Sequence, residues 1–338
     1  MKKLLVTGGA GFIGSHTVVE LLQRGYELVL YDNLSNSSAT VLERISQITK
    51  SPITFIKGDI RDVDRLDDVF TQHDFEAVLH FAGLKAVDES VQDPILYYNN
   101  NVFGTLQLLE VMTNHDVKKM IFSSSATVYG NDEKVPFRED MRTGIPSNPY
   151  GMGKLMIENI LHDIQKADNS WQIMCLRYFN PVGAHPSGLI GEDPRGVPNN
   201  LMPFLTQTAL GRRDVLSIFG GDYPTPDGSA IRDFIHVVDL AKAHFSALQK
   251  CQEGVGFCIV NVGTGRGYSV FEVLRTFEST NKVKIPFEVV NRRVGDAAVS
   301  FADPQLAERF LSWRASLGLE EMCRDSWHWQ STNPTGFA

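Results

Sequence analysis

Cysteine is scarce in this chain. Its 338 residues include 4 cysteines, Cys175, Cys251, Cys258 and Cys323. None forms a C-x-x-C pair or stands with histidines at zinc spacing, so neither a disulfide framework nor a metal site is expected. Reduced, space-filling thiols of a cytoplasmic protein are the expectation instead. Long apolar runs are missing too: no stretch approaches the roughly 20 residues that a membrane span needs. The apolar start Leu4-Leu5-Val6 stops at Thr7-Gly8-Gly9, short of the core of a secretory signal. Positive charge is not in excess. A net charge of −8 gives no electrostatic footprint for nucleic acid or an anionic membrane, and neither is expected as a partner. Internal repeats and low-complexity tracts are also lacking. What remains is 43% hydrophobic and 21% charged, the composition of a globular protein with a substantial core.

The first half alternates short apolar runs with helical periods. Strands are predicted at Leu4–Thr7, Glu27–Tyr31, Ile53–Lys57, Ala77–Phe81, Lys119–Ser124 and Gln172–Tyr178. Helices are predicted at Ser15–Arg24, Asp62–Gln72, Leu96–Asn114 and Gly151–Ala167. Nearly continuous apolar strands alternating with helices imply an α/β fold, a doubly wound parallel sheet covered on both faces. The texture changes after residue 180. Segments 180–200 and 220–228 are rich in Pro and Gly, and helix signals return at Pro203–Gly211 and Val238–Lys250. The expected organisation is a Rossmann-type domain over 1–180, to which later segments return. A smaller mixed α/β substrate domain over 181–338 is expected to pack over the carboxyl ends of the strands, where doubly wound sheets bind ligands.

Gly9-Ala10-Gly11-Phe12-Ile13-Gly14 matches G-x-G-x-x-G, and Gly8, Gly11 and Gly14 also match G-x-x-G-x-x-G. The run follows a predicted strand and opens a predicted helix, the context that gives the motif meaning. Glycines there let the backbone approach a pyrophosphate whose charge sits on the helix N-terminus. Asp32 ends the second strand, where a carboxylate accepts hydrogen bonds from ribose hydroxyls and repels a 2′-phosphate, favouring NAD over NADP. Gly58-Asp59-Ile60 follows the third strand, at the height of an adenine edge.

Tyr150-Gly151-Met152-Gly153-Lys154 is a Y-x-x-x-K, which puts a phenol and an ammonium on one helical face. A tyrosine near its reference pKa of about 10 is a poor base. A neighbouring ammonium and a positive nicotinamide ring would both favour the phenolate. Alone the motif carries little. Its weight comes from Ser123-Ser124-Ser125-Ala126-Thr127-Val128-Tyr129-Gly130 at the end of an adjacent strand, where the Ser125 hydroxyl is placed to share the substrate proton. His80-Phe81-Ala82-Gly83 ends another strand, with Lys85 beyond it to reach a phosphate or a sugar hydroxyl.

Taken together, these segments resemble the extended short-chain dehydrogenase/reductases and, within them, the UDP-glucose 4-epimerase family. Also carrying the resemblance are Asp32-Asn33-Leu34, Tyr97–Val102, Arg177–Ser187, Pro198–Pro203, Arg232–Asp239 and Trp327–Gln330. It spans essentially the whole chain. The resemblance implies NAD held by Gly8, Gly11, Phe12, Ile13, Gly14, Asp32, Asn33, Asp59, Ile60, Phe81, Ala82, Gly83, Lys85, Asn100, Ser123, Tyr150, Lys154 and Tyr178. It implies catalysis by Tyr150, Lys154 and Ser125 through a transient 4-keto sugar. For a UDP-hexose it implies contacts from Lys85, Ser125, Tyr150, Phe179, Asn180, Asn200, Leu201, Phe219, Arg232, Arg293, Asp296 and Ser300. A homodimer through the helices near Leu96–Asn114 and Gly151–Ala167 is implied as well. A sugar that must present both faces cannot be gripped, so affinity has to come from the nucleoside diphosphate. Arginines suit that role.

Two departures stand out. The tripeptide after Arg292-Arg293 that usually reads Asp-Leu-Pro is Asp296-Ala297-Ala298 here. Ser300 is small where members restricted to non-acetylated sugars resemble one another in carrying Tyr, which implies room for a 2-acetamido group. Two alternatives stay open. A dehydratase or decarboxylase on the same fold is disfavoured because Ser124–Gly130 lacks the Asp-Glu pair that would protonate a leaving hydroxyl. A non-catalytic NAD-sensing protein is disfavoured by the joint presence of Ser125, Tyr150 and Lys154.

Overall fold

The structure, a computed structural model, describes residues 3–130, 134–293 and 296–337. The first half runs β1 (Lys3–Thr7), α1 (Phe12–Gln23), β2 (Glu27–Asp32), α2 (Thr40–Thr49), β3 (Thr54–Lys57), α3 (Val63–Gln72) and β4 (Phe75–His80). It continues through α4 (Val87–Gln92), α5 (Pro94–Tyr97), a π-helical stretch (Tyr98–Phe103), α6 (Gly104–Asn114), β5 (Lys119–Ser125), α7 (Pro149–Ala167) and β6 (Gln172–Tyr178). The remainder comprises β7 (Asn180–Val182), α8 (Leu201–Ala209), β8 (Leu216–Phe219), β9 (Ile231–His236), α9 (Val237–Glu253), β10 (Phe257–Val262) and β11 (Gly267–Ser269). It ends with α10 (Val270–Asn281), β12 (Phe287–Val290), β13 (Val299–Ser300), α11 (Gln305–Phe310) and α12 (Leu319–Thr332).

Among the described residues, seven strands form one sheet in the order β10-β6-β5-β4-β1-β2-β3, and all its pairings are parallel. The chain winds outward from β1 in both directions, so the crevice between β1 and β4 is the topological switch point of a Rossmann-type sheet. Two apolar clusters cover its faces, one built on α1 and α9 and the other on α3, α6 and α7. Beyond β6 a smaller mixed α/β region forms around β7, β9, β11 and β13 and the β8–β12 pair, with its own core from Met202, Phe234, Phe277 and Met322.

The expected fold class therefore holds, with three differences of detail. The segment Leu96–Asn114, predicted as one helix, is broken into α5, the π-helical stretch and α6. A tertiary contact stands at the break: the Asn101 side chain turns back to accept from Leu84 N at 2.8 Å and to donate to Leu84 O at 2.9 Å. Single-turn π-helical insertions commonly stand at functional sites. Helix α2 is not among the predicted helices, although Val41, Leu42, Ile45 and Ile48 recur at helical spacing and turn toward the core. Strand β10 lies beside β6 and closes the main sheet from the second half of the chain.

The edge of the sheet near β6 is tied by buried charge. Glu158 of α7 accepts from Ser124 Oγ at 2.5 Å and Arg177 Nε at 3.0 Å through one oxygen, and from Arg177 Nη2 at 2.6 Å through the other. Both charged side chains are 3% exposed. The pair fixes α7 against β5 and β6 at the level of the Ser123–Ser125 segment. Removing one partner strands a charge away from water. Glu158→Ala should therefore lower the free energy of unfolding by about 3–5 kcal/mol, read as the shift in a urea unfolding curve. A loss below about 1 kcal/mol would mean that the pair behaves as a surface contact.

Candidate active site

The carboxyl ends of β1, β2, β4, β5 and β6 place Thr7, Asp32, His80, Ser125 and Tyr178 along one edge of the sheet, in register through Thr7↔Tyr31, Thr7↔His80 and Ser125↔Tyr178. The glycine-rich turn between β1 and α1 sits at this edge. Gly8 has φ +69°, and a Cβ there would lie 2.6 Å from Ala82 N, so only glycine lets the turn close on the end of β4. A Cβ on Gly14 would run into Gly8 O. Among the described residues no side chain caps α1, and no acidic residue stands in its first turn, at Phe12 or Ile13. Its leading N–H groups therefore face outward as an anion site over a cradle that any side chain would fill. A dinucleotide pyrophosphate fits this arrangement.

Asp32, 8% exposed, stitches the cradle to the following loop. Its Oδ2 accepts from Ala10 N at 3.0 Å, and its Oδ1 accepts from Leu34 N at 2.8 Å and Ser37 Oγ at 3.1 Å. Asn33 donates to Asp59 Oδ2 at 3.0 Å. Arg61, which sequence reasoning passed over, binds both oxygens of Asp59 at 2.9 and 2.8 Å and holds that carboxyl well below the usual range. Ile60 is buried beneath them against α6, where Gly104 leaves room for it.

Behind the cradle runs a neutral hydrogen-bonded chain. Thr7 Oγ1 meets His80 Nδ1 at 2.6 Å, His80 Nε2 meets Thr105 Oγ1 at 2.9 Å, and Thr105 donates to Asn101 O at 2.6 Å. Burial pulls the His80 pKa down to about 3, so the ring stays uncharged. Asn100 donates to Asn101 Oδ1 at 2.9 Å, and Asn101 in turn secures the loop carrying Gly83 and Lys85. Phe81 packs on His244 with ring centroids 4.8 Å apart, and the buried Tyr178 hydroxyl bonds to the same imidazole.

Tyr150 enters at the start of α7, whose N-cap Asn148 accepts from Gly151 N at 2.8 Å. Lys154, one turn on and 5% exposed, donates to Ser123 O at 2.6 Å, and its ammonium lies 5.9 Å from the Tyr150 ring centroid. Burial lowers the Lys154 pKa to about 8, opposed by the Glu158 carboxylate. The same burial raises the Tyr150 phenol above its ordinary value, with the Ser125 hydroxyl pulling the other way. The Lys154 ammonium and the nicotinamide ring expected to favour the phenolate would act against this desolvation. Glu158 extends the face of Tyr150 and Lys154 by one more turn. Its spacing was a readable signal that sequence reasoning did not use.

The nucleotide-side candidates fall into groups. Arg232 pairs with Asp296 and lies across from Ser300 in the β9–β13 register. The sequence neighbour Asp233 is no partner of Arg232: it is buried and accepts from Thr264 N at 2.8 Å, Gly265 N at 2.9 Å and Ala302 N at 3.1 Å. Arg293 stacks over Phe219 at 4.0 Å, and Arg292 over Tyr223 at 4.2 Å. Phe179 is buried with Tyr129 and Phe137, Asn180 pairs with Phe234, and Leu201 opens α8 directly after Asn200. Lys85 and Asn200 are joined through Glu192, another residue that sequence reasoning missed.

Residues 4–263 match the NAD dependent epimerase/dehydratase family. The chain is 56% identical over 334 residues to a UDP-glucose 4-epimerase of Bacillus subtilis, covering 99% of this chain and 98% of the relative. Among solved structures it is similar to a UDP-glucose 4-epimerase from Bifidobacterium longum in complex with NAD+ and UDP, with a TM-score of 0.96, 50% identity and coverage of 99% of this chain and 100% of that one. A second, from Stenotrophomonas maltophila with bound NAD and formylated UDP-arabinopyranose, gives a TM-score of 0.96 and 48% identity, covering 99% of both chains. Whole-length identity, the parallel sheet with its glycine cradle and the Ser125–Tyr150–Lys154 group agree: the chain belongs to the NAD dependent epimerase/dehydratase family, within its UDP-glucose 4-epimerase branch.

Proposed function

We propose that this enzyme interconverts UDP-glucose and UDP-galactose through a 4-keto sugar, with NAD kept on the protein throughout. The observation that carries this reading is the Lys154 ammonium, 5.9 Å from the Tyr150 ring centroid and tied to the Ser123 carbonyl on the strand that ends at Ser125. Bound NAD supplies the hydride acceptor and donor for sugar carbon 4 and adds a positive charge near the phenol. Tyr150 takes the proton from the sugar 4-hydroxyl and later returns it, and Ser125 shares that proton. Lys154 stabilises the phenolate. Arg232, Arg293, Asp296, Phe219, Asn180, Asn200 and Leu201 hold the nucleoside diphosphate, leaving the hexose free to turn. Residues 1–180, with α9 and β10, form the cofactor lobe, and most of 181–338 forms the sugar-nucleotide lobe.

The small Ser300 beside Arg232 supports a further substrate class, the UDP-GlcNAc/UDP-GalNAc pair, because a serine leaves volume for a 2-acetamido group. Purified protein given UDP-glucose or UDP-GlcNAc without added NAD should approach equilibrium with the 4-epimer in each case. Stopping after one equivalent would instead mark a releasing dehydrogenase. Ser300→Tyr should keep the UDP-glucose rate and lose most of the UDP-GlcNAc rate. Equal survival of both rates would remove the pocket argument.

We also propose a homodimer. Ile95, Tyr98, Val102, Phe103, Leu106 and Met156 form one apolar face across α5, the π-helical stretch, α6 and α7, and Ile95 is 79% exposed. The wild type should sediment at twice the chain mass, and the double variant Ile95→Arg/Leu106→Arg at the chain mass. A monomeric wild type contradicts the proposal.

A further inference from the structure

Glu192 has no role in the reading above, yet it links two residues that do. It lies in the Pro- and Gly-rich segment between β7 and α8, with its side chain 8% exposed. A single oxygen, Oε1, accepts from Lys85 Nζ at 2.8 Å and from Asn200 Nδ2 at 2.7 Å. Lys85 comes from the loop after β4 in the main sheet. Asn200 is the residue before α8 in the smaller region. No other side-chain hydrogen bond is made by Lys85 or Asn200 among the described residues, so this carboxylate is their shared anchor.

The backbone on both sides of Glu192 is itself pinned. Arg44 of α2 donates to Leu189 O at 3.0 Å, and Arg195 donates to Ser37 O at 2.8 Å. Trp329 Nε1 of α12 donates to the Glu192 carbonyl at 3.3 Å, and Asp193 accepts from Phe337 N at 2.9 Å. These bonds hold the segment between the loop and helix that follow β2 and the end of the chain. The position of the carboxylate is therefore set by the fold, and the lysine comes to it. The arrangement leaves both partners able to bind more. An ammonium has three donors and spends one here, and the Asn200 amide keeps its carbonyl and one N–H.

We propose that Glu192 is a positioning residue for nucleotide-sugar binding, fixing Lys85 and Asn200 relative to each other across the two lobes so that a nucleoside diphosphate sugar meets both already aimed. This rests on the proposed function, in which Lys85 and Asn200 contact the ligand. Pre-aiming lowers the ordering cost of binding and leaves the chemistry at Tyr150 untouched. Its loss therefore appears in KM and not in kcat. A glutamine retains an oxygen able to accept from both partners. An aspartate, one methylene shorter, cannot reach both.

The test uses the full-length protein with its resident cofactor, UDP-glucose for kinetics and UDP for calorimetry. Wild type is assayed first: failure to turn over UDP-glucose would overturn the proposed function and would be seen before any variant is read. With wild-type turnover in hand, Glu192→Ala should raise KM for UDP-glucose and Kd for UDP about tenfold, the worth of one lost charge-assisted hydrogen bond. Its kcat should stay within about twofold of wild type. Glu192→Gln should return KM to within about threefold of wild type. Unchanged KM and Kd in Glu192→Ala, a fall in kcat at constant KM, or a glutamine variant as impaired as alanine would each overturn the proposal. If thermal melting shows that the alanine variant does not fold, Glu192→Asp takes its place, and an unchanged KM there contradicts the proposal equally.

Discussion

Burial of charge at one corner of the sheet governs the arrangement of the site. Glu158 and Arg177 lie out of water, and a buried charge is tolerated only when it is partnered; Arg177 also lies over the Tyr129 ring, with its Nη1 left without a hydrogen bond among the described residues. Their bonds to one another and to Ser124 fix α7 over the ends of β5 and β6. Lys154, one turn earlier on the same face, is held under the same rule by the Ser123 carbonyl. Tyr150, one turn earlier again, has its position fixed by that sequence of contacts. Desolvation has opposite effects on the two functional groups, lowering the Lys154 pKa and raising that of the phenol. A site so arranged calls for added positive charge before the phenol works near neutral pH.

In the proposed reaction the two lobes divide the work by the strength of their contacts. The glycine cradle and Asp32 form a tight, specific frame built from backbone amides and one buried carboxylate. The smaller region offers guanidinium groups on aromatic rings and the Arg232–Asp296 pair, which suit a ring and a diphosphate. The segment between β7 and α8 touches both lobes, through Lys85 and Ser37 on one side and Trp329 and Phe337 on the other.

Much of this was legible in the sequence because the determining signals are local. A strand, a run of glycines and a helix start announce the cradle, and Tyr150 and Lys154 share a helical face by spacing alone. The main-sheet strands were readable from apolar runs, though β10 joins them from far along the chain, and no local pattern assigns its neighbour. The π-helical break at Tyr98–Phe103 was hidden because it depends on Asn101 reaching back to Leu84, a tertiary contact. Arg61 and Glu192 escaped notice for the same reason: a lone charge in a loop reads as solvated until the fold supplies its partner. At Tyr150 spacing reveals the neighbouring ammonium but says nothing of how much water is excluded around the phenol.

The central claim is that hydrogen leaves sugar carbon 4 and returns to the same carbon within one closed cycle on the protein. Turnover of UDP-glucose deuterated at carbon 4, in ordinary water with no added NAD, tests this most directly. The account requires UDP-galactose that still carries deuterium at carbon 4. Loss of the label to water, or its appearance on released cofactor, would contradict it.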